Sequence, residues 1–159
     1  MSTRTPREQH VSPKLILIAA SGLVAASAVH ADDHGGEVFR ETCATCHVEH
    51  MSAEAADHAP DLLAPPMNLL TTIIRRKTGN SEAAFTAHVV EFTLNPERDK
   101  VKAMREALDR FGLMPPITAT SPSIDRSDVE AVAHWLFERY DYETELRELM
   151  EHERRERAG

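Results

Sequence analysis

The sequence predicts an all-α protein. Its apolar residues recur at intervals of three and four positions, which is the spacing of one face of a helix. Val, Ile and Thr are scattered along the chain, whereas strands typically show them in alternating runs. Pro and Gly residues fall between the periodic segments, where they end or begin helices. The predicted elements are therefore a series of helices joined by short irregular segments.

In the first half of the chain, a helix is predicted to open at a Gly-Gly pair and to carry Phe39 and both cysteines. Residues 48–66 are polar and interrupted by three prolines, so we predict a loop there. Residues 67–76 and 81–94 place their apolar side chains at helical spacing and are predicted to be helices. A Gly-Asn pair separates these two segments.

In the second half, a helix is predicted over 95–110, because an Asn-Pro pair can cap its start and occupy its first position. An extended loop is predicted over 115–123. Asp125 is then a favourable N-cap for the last helix of the domain. Ile124 precedes this cap and is predicted to pack on Val129 as a hydrophobic staple.

Residues 1–31 are predicted to be an export signal of the general secretion (Sec) type. Three basic residues precede an apolar run of 14 residues, and small residues follow it. A membrane-spanning helix needs roughly 20 apolar residues. We therefore expect cleavage after Ala31, a periplasmic location and no stable membrane span after cleavage; retention of the segment as an anchor is the alternative.

The rest of the chain is predicted to form one domain, 32–140, and a charged, solvated helical extension, 141–159. Removal of residues 1–31 changes the formal net charge from −8 to −10. An acidic protein of this kind is expected to avoid nucleic acid and to favour partners with basic surfaces.

The most specific chemical signal is the run Cys43-Ala44-Thr45-Cys46-His47. C-x-x-C-H is the spacing that attaches a c-type haem: each thiol forms a thioether with one vinyl group, and the His can bind the iron. A thioredoxin-like thiol pair would follow a strand. A structural zinc site would need two further ligands from distant histidines. We predict a single covalent haem c, held by Cys43 and Cys46, with His47 as an axial ligand of the iron.

Beyond this motif, residues 35–140 resemble the class I c-type cytochromes. The first helix of that family carries a Gly and an aromatic residue eight and four positions before the first Cys, as Gly35 and Phe39 do here. The final helix of the family packs an aromatic residue across the first one, and Trp135 takes this position. The resemblance implies the cytochrome c fold, in which N- and C-terminal helices pack across each other around one covalently attached haem.

The resemblance also implies residues that support the iron. The family has Gly-Pro-x-Leu after the haem His, and here Ala-Pro-Asp-Leu occupies that place. The carbonyl of Pro60 is therefore expected to accept the N–H of His47, and Leu62 is expected to pack near the haem together with Phe39. A late Met-Pro pair makes Met114 the expected sixth ligand of the iron.

Several other residues remain as alternatives for these roles. Met67 and Met104 are alternatives to Met114, and His88 is the competing histidine. Arg75 or Arg76 is a candidate for contact with a haem propionate, against the reading of both as a solvated basic patch.

His/Met ligation implies a one-electron carrier and not an enzyme. We expect a monomer that exchanges electrons with a redox-protein donor and acceptor. One alternative is a haem-bearing subunit of a periplasmic oxidoreductase complex. A weaker alternative is a gas-binding or sensing cytochrome.

Overall fold

The computed structural model describes residues 29–159. Every regular element in this part of the chain is a helix, which confirms the predicted all-α class. The predicted export signal lies outside the described residues except for its last three positions. Within residues 29–159, no helix combines the length and the apolar character needed to cross a bilayer.

The chain forms eight α-helices within the described residues. They are α1 Val29–Val38, α2 Ala53–Asp57, α3 Met67–Lys77, α4 Glu82–Leu94, α5 Arg105–Phe111, α6 Ile117–Thr120, α7 Arg126–Arg139 and α8 Tyr142–Ala158. A wider π-type turn, Phe39–Cys43, continues α1. A short 3-10 turn, Arg98–Lys100, lies between α4 and α5.

The central contact of the fold is the crossing of α1 and α7. A Cβ atom at Gly35 would lie 2.3 Å from the carbonyl oxygen of Ala131, so only glycine allows the two helix backbones to approach this closely. One turn further along, the rings of Phe39 and Trp135 pack at a centroid distance of 5.1 Å. The predicted contact of Trp135 with Gly35 and Phe39 is confirmed.

The main core forms around this crossing, and α3 and α4 complete it. Phe39 and Phe85 are fully buried at its centre. The other buried members of this cluster are Val38, Met67, Ile74, Val132, Ala133, Leu136 and Tyr140. A smaller cluster joins Val90, Ile117 and Val129, so that α4, α6 and α7 share a second apolar contact.

The N-terminus of α7 is capped by the residues that the local sequence predicts. Oδ1 of Asp125 accepts hydrogen bonds from the backbone N–H groups of Ser127 and Asp128, at 2.7 and 3.1 Å. The carboxylate of Asp128 accepts in return from the N–H of Asp125, which completes a capping box. Ile124 packs against the small cluster that contains Val129. The predicted cap and staple are both confirmed.

The charged segment after residue 140 is helical, as predicted, but it is not a solvated extension. Leu149 of α8 is only 2% exposed. The side chain of Asn68 in α3 donates to Glu145 of α8 at 2.9 Å, and Arg76 of α3 pairs with Glu153 at 3.1 Å. The few apolar residues of this segment thus suffice to pack α8 along α3.

The predicted helix over 95–110 is wrong. Asn95 is non-helical, as predicted for a cap. Glu97, Val101 and Met104 are extended as well, so no continuous helix begins at Pro96. The ammonium group of Lys100 then lies 2.9 Å from a carboxylate oxygen of Glu91 and 2.6 Å from one of Glu97. A short 3-10 turn and the separate helix α5 therefore replace one helix over 95–110, because the backbone between them is extended.

The two predicted loops each contain a short helix. In the segment 48–66, Ser52 caps α2 by accepting from the N–H of Ala55. In the segment 115–123, α6 follows Pro116 and buries Ile117 in the small cluster. Helices of four or five residues have too little periodicity to be recognised in the sequence.

Candidate functional site

The Cys-x-x-Cys-His segment forms a tight turn at the end of the helical stretch that begins with α1. The backbone N–H groups of Cys46 and His47 both donate to the carbonyl oxygen of Cys43, at 3.1 and 3.0 Å. Both cysteines are free thiols. Cys43 is half-buried against the main core, and Cys46 is exposed. The turn therefore presents two thiols and an imidazole within five residues.

His47 is held in one orientation and one tautomer. The residue is only 8% exposed, and its Nδ1 lies 2.8 Å from the carbonyl oxygen of Pro65. A carbonyl oxygen can only accept, so Nδ1 carries the proton of the neutral ring and Nε2 keeps a free lone pair. Burial lowers the pKa of His47 and favours this neutral form. A metal-binding imidazole is commonly prepared in this way.

The predicted carbonyl partner, Pro60, is wrong: Pro65 has this role. The helix α2 and the turn after it lengthen the path from His47, and Pro60 is exposed on that path. The chain comes back beside His47 two residues after Pro65, where the N–H of Met67 donates to the carbonyl of Val48 at 2.8 Å. The sequence contains a signal for this partner, because an Ala-Pro pair occurs twice, five residues apart.

The backbone that follows His47 is fixed by two buried side chains. Asn68 of α3 accepts from the N–H of Met51 at 3.1 Å and donates to the Met51 carbonyl at 3.2 Å. The hydroxyl of Tyr140 donates to the carbonyl of Glu49 at 2.8 Å. Neither role was recognised from the sequence. Together these bonds anchor the segment after the turn to α3 and to the end of α7.

Met114 lies in the segment between α5 and α6, and its side chain is half-buried. At the end of α5, the guanidinium of Arg110 donates to the carbonyl oxygens of Ala56 and Ala59. Four residues span at most about 14 Å. The chain that carries Met114 is therefore tethered, through Arg110, to the segment between His47 and Pro65.

The other predicted site residues have mainly packing environments. Phe39 is fully buried on Trp135, and Leu62 is half-buried. Of the alternative methionines, Met67 is 8% exposed in the main core and Met104 is 37% exposed before α5.

His88 is half-buried on α4, and its ring stacks on Phe92 at a centroid distance of 5.8 Å. Burial, together with the nearby charge of Lys102, lowers the pKa of His88 to about 4. The ring is therefore neutral at pH 7, and its surroundings are those of a packed side chain.

This lowered pKa predicts a loss of stability in mild acid. The unfolded ring binds a proton near pH 6.5, whereas the folded ring does so only near pH 4, so folding weakens as the pH falls between these values. Because the ring is half exposed, we expect a loss of roughly 1–2 kcal/mol. Urea unfolding at pH 7 and pH 4.5 should show a loss of stability that is smaller by this amount in His88→Gln than in the wild type, which also carries the lowered pKa of His47. The exposed control His58→Gln should behave as the wild type, and an equal loss in His88→Gln would contradict the assignment.

Arg75 and Arg76 are both engaged by protein groups. The guanidinium of Arg75 donates to the carbonyl oxygens of Phe137 and Tyr140, at 2.9 and 3.1 Å, and to the side chain of Asn80. Arg76 forms the ion pair with Glu153 described above. Arg75 thus joins α3 to the end of α7, and this role was not recognised from the sequence.

The described residues define an all-α protein with a Cys-x-x-Cys-His turn beside a helix crossing. No protein-family profile matches the chain. No solved structure matches it either. The chain is 32% identical to an "Uncharacterized protein" of Aquifex aeolicus (strain VF5), and the alignment covers 80% of this chain and 90% of that relative. The chain belongs to the same family as this Aquifex protein.

Proposed function

We propose that this protein is a class I c-type cytochrome that carries single electrons in the periplasm. The observation that supports this most strongly is the state of His47. Its imidazole is buried, a backbone carbonyl fixes the proton on Nδ1, and Nε2 keeps its lone pair. Two free thiols lie one and four residues before it, at the spacing that c-type haem attachment requires.

The residues present fit one covalent haem c. Cys43 and Cys46 would form the two thioethers, and Nε2 of His47 would bind the iron. Met114 is the proposed second axial ligand. A thioether favours the ferrous state and raises the potential relative to a second imidazole. When bound, the haem supplies reversible one-electron exchange at its iron.

The contribution of the protein itself is to keep these groups in place. Pro65 orients the imidazole of His47, and Asn68 and Tyr140 hold the backbone that follows it. Phe39 and Trp135 form an apolar wall behind the turn and exclude water there. A site held this firmly changes little between oxidation states, and such small reorganisation suits electron exchange.

The proposal includes the cytochrome c fold and export. The close crossing of α1 and α7 at Gly35 is the arrangement that the resemblance implies for the first and last helices of that fold. The residues at 1–31 have the composition of an export signal, and c-type haem attachment needs a compartment outside the cytoplasm. The acidic chain is proposed to meet donor and acceptor proteins through basic surfaces on those partners.

The test is the visible spectrum of the full chain, matured in a periplasm that contains the haem-attachment machinery. We expect the reduced protein to be low-spin and unchanged by carbon monoxide, because Met114 would already be bound to the iron. Met114→Ala should bind carbon monoxide promptly, and the control Met104→Ala should behave as the wild type. A chain without covalent haem would overturn the proposal. Prompt gas binding by the wild type would favour the gas-binding alternative, and co-purification with an oxidoreductase would favour the subunit alternative.

A further inference from the structure

A second group of ligand-type side chains lies where α2 meets α8. Asp57 ends α2, and His152 and Glu156 lie on α8. One ligand atom from each residue lies within 4.8 Å of the other two. Nε2 of His152 is 2.8 Å from Oδ2 of Asp57. None of these residues takes part in the proposed haem site.

The three side chains match the donor set of a transition-metal ion. His152 and Glu156 are four positions apart on one helix and therefore share a face. Zinc binds imidazole and carboxylate groups at roughly 2.0–2.2 Å, so two ligands of a tetrahedral ion lie about 3.3 Å apart. The side chain of His152 is only 12% exposed and is fixed by packing. Glu156 is exposed and free to rotate by the small amount that closes the site.

The surroundings of this group attract cations. A groove of about 200 Å³ between α2, α3 and α8 has His152 in its wall. Arg155 also lines the groove, but acidic side chains outnumber it. The glutamates of the lining are Glu54, Glu145, Glu148 and Glu151. Carboxylates grouped in a cleft raise the local concentration of cations.

The pair of Asp57 and His152 differs from the other histidine–carboxylate pairs between elements, because a third ligand-type side chain lies beside it. Three other histidines pair with a carboxylate on a different element: His34 with Asp128, His50 with Glu145, and His134 with Glu82. Within residues 34–159, only the pair at α2 and α8 is joined by a third ligand-type group at this range.

We propose that Asp57, His152 and Glu156 bind a divalent transition-metal ion of the zinc type, whose fourth position is taken by water. The imidazole donor favours zinc over calcium or magnesium, which prefer oxygen ligands alone. The ion clamps α8 to α2. Because α2 lies between His47 and Pro65, the clamp also braces the segment that orients the imidazole of His47.

The experiment is a calorimetric titration of the chelator-treated, haem-loaded full chain with ZnCl₂, without a polyhistidine tag. We expect one equivalent of zinc to bind and to raise the melting temperature, because the ion binds the folded state. His152→Gln should weaken binding more than about tenfold, since it removes a direct ligand. Glu156→Gln should also weaken binding while the pair of Asp57 and His152 remains.

The matched control is His134→Gln, which breaks a histidine–carboxylate pair of the same kind and should bind zinc as the wild type does. The proposal is overturned if zinc does not bind, or if His152→Gln and Glu156→Gln both bind it as the wild type does. It is also overturned if CaCl₂ binds equally well, because the acidic groove then acts only as a diffuse cation attractor. Since Glu156 is exposed, its variant keeps the test valid even if His152→Gln does not fold.

Discussion

Replacing Arg75 by Met is expected to lower the free energy of unfolding by about 3 kcal/mol. Arg75 is 8% exposed and donates to the carbonyl oxygens of Phe137 and Tyr140, which lie at the end of α7. These carbonyls have no partner within their own helix. A cation at this end also interacts favourably with the helix dipole. Loss of the guanidinium leaves two carbonyls buried without a donor.

The neighbouring residue provides the control. Arg76 pairs with Glu153 at a position where both side chains are partly exposed to solvent, so Arg76→Met is expected to cost about 0–1 kcal/mol. Arg75→Lys should fall between the two, because one ammonium group can replace Nη1 at the two carbonyls but cannot also replace Nε at the side chain of Asn80. Urea unfolding curves with equal m-values would measure these differences. Equal losses for Arg75→Met and Arg76→Met would show that Arg75 does not cap α7.

Gly35→Ala is expected to lower the free energy of unfolding by about 2 kcal/mol, although alanine is the better helix former. The added Cβ would meet the Ala131 carbonyl oxygen at 2.3 Å and the Trp135 Cβ at 2.7 Å. Because both neighbours belong to or adjoin the backbone of α7, the two helices must move apart. The separation also loosens the packing of Phe39 on Trp135. Chemical unfolding and near-UV circular dichroism of Trp135 would measure both effects.

Gly36→Ala is the matched variant for this position. Its Cβ would meet side-chain atoms, Nε1 of Trp135 at 2.9 Å and the guanidinium of Arg40 at 3.1 Å. Side-chain ends can shift more easily than a backbone carbonyl, and the gain in helix propensity of about 1 kcal/mol is the same at both positions. We expect Gly36→Ala to lose less than half as much stability as Gly35→Ala. The reverse order would contradict a crossing centred on Gly35.

The sequence predicted those helices whose signals are local. The predicted segments 67–76 and 81–94 agree with α3 and α4 to within one residue at each end, because an amphipathic repeat and a stop signal lie within each segment. The segment 95–110 has a similar repeat, but its backbone is extended at Val101 and Met104, and the carbonyl of Ala103 between them accepts from Lys77 of α3. Such tertiary contacts override propensity and cannot be recognised from the repeat alone.

The candidate site also combines residues that the local sequence predicts with a partner that depends on the path of the folded chain. Its thiols and imidazole lie within five consecutive residues, so the sequence alone placed Cys43, Cys46 and His47 together. The carbonyl that holds His47 depends on the path of the intervening chain, and Pro60 and Pro65 are equally plausible from their Ala-Pro pairs. The structure selects Pro65: its carbonyl accepts from Nδ1 of His47, and the bond from the N–H of Met67 to the carbonyl of Val48 brings this part of the chain back beside His47.

The crossing of α1 and α7 also affects when the chain can fold during its synthesis. Gly35 and Trp135 are 100 positions apart, so their contact closes a long loop and must wait until nearly the whole chain has been synthesised. Until residue 135 emerges, Phe39 has no ring to pack on, and the core beside Cys43 cannot form. If this chain is exported and matured as proposed above, the two thiols therefore stay accessible while it crosses the membrane from its N-terminus. An enzyme that modifies them has that whole interval in which to act before folding covers Cys43.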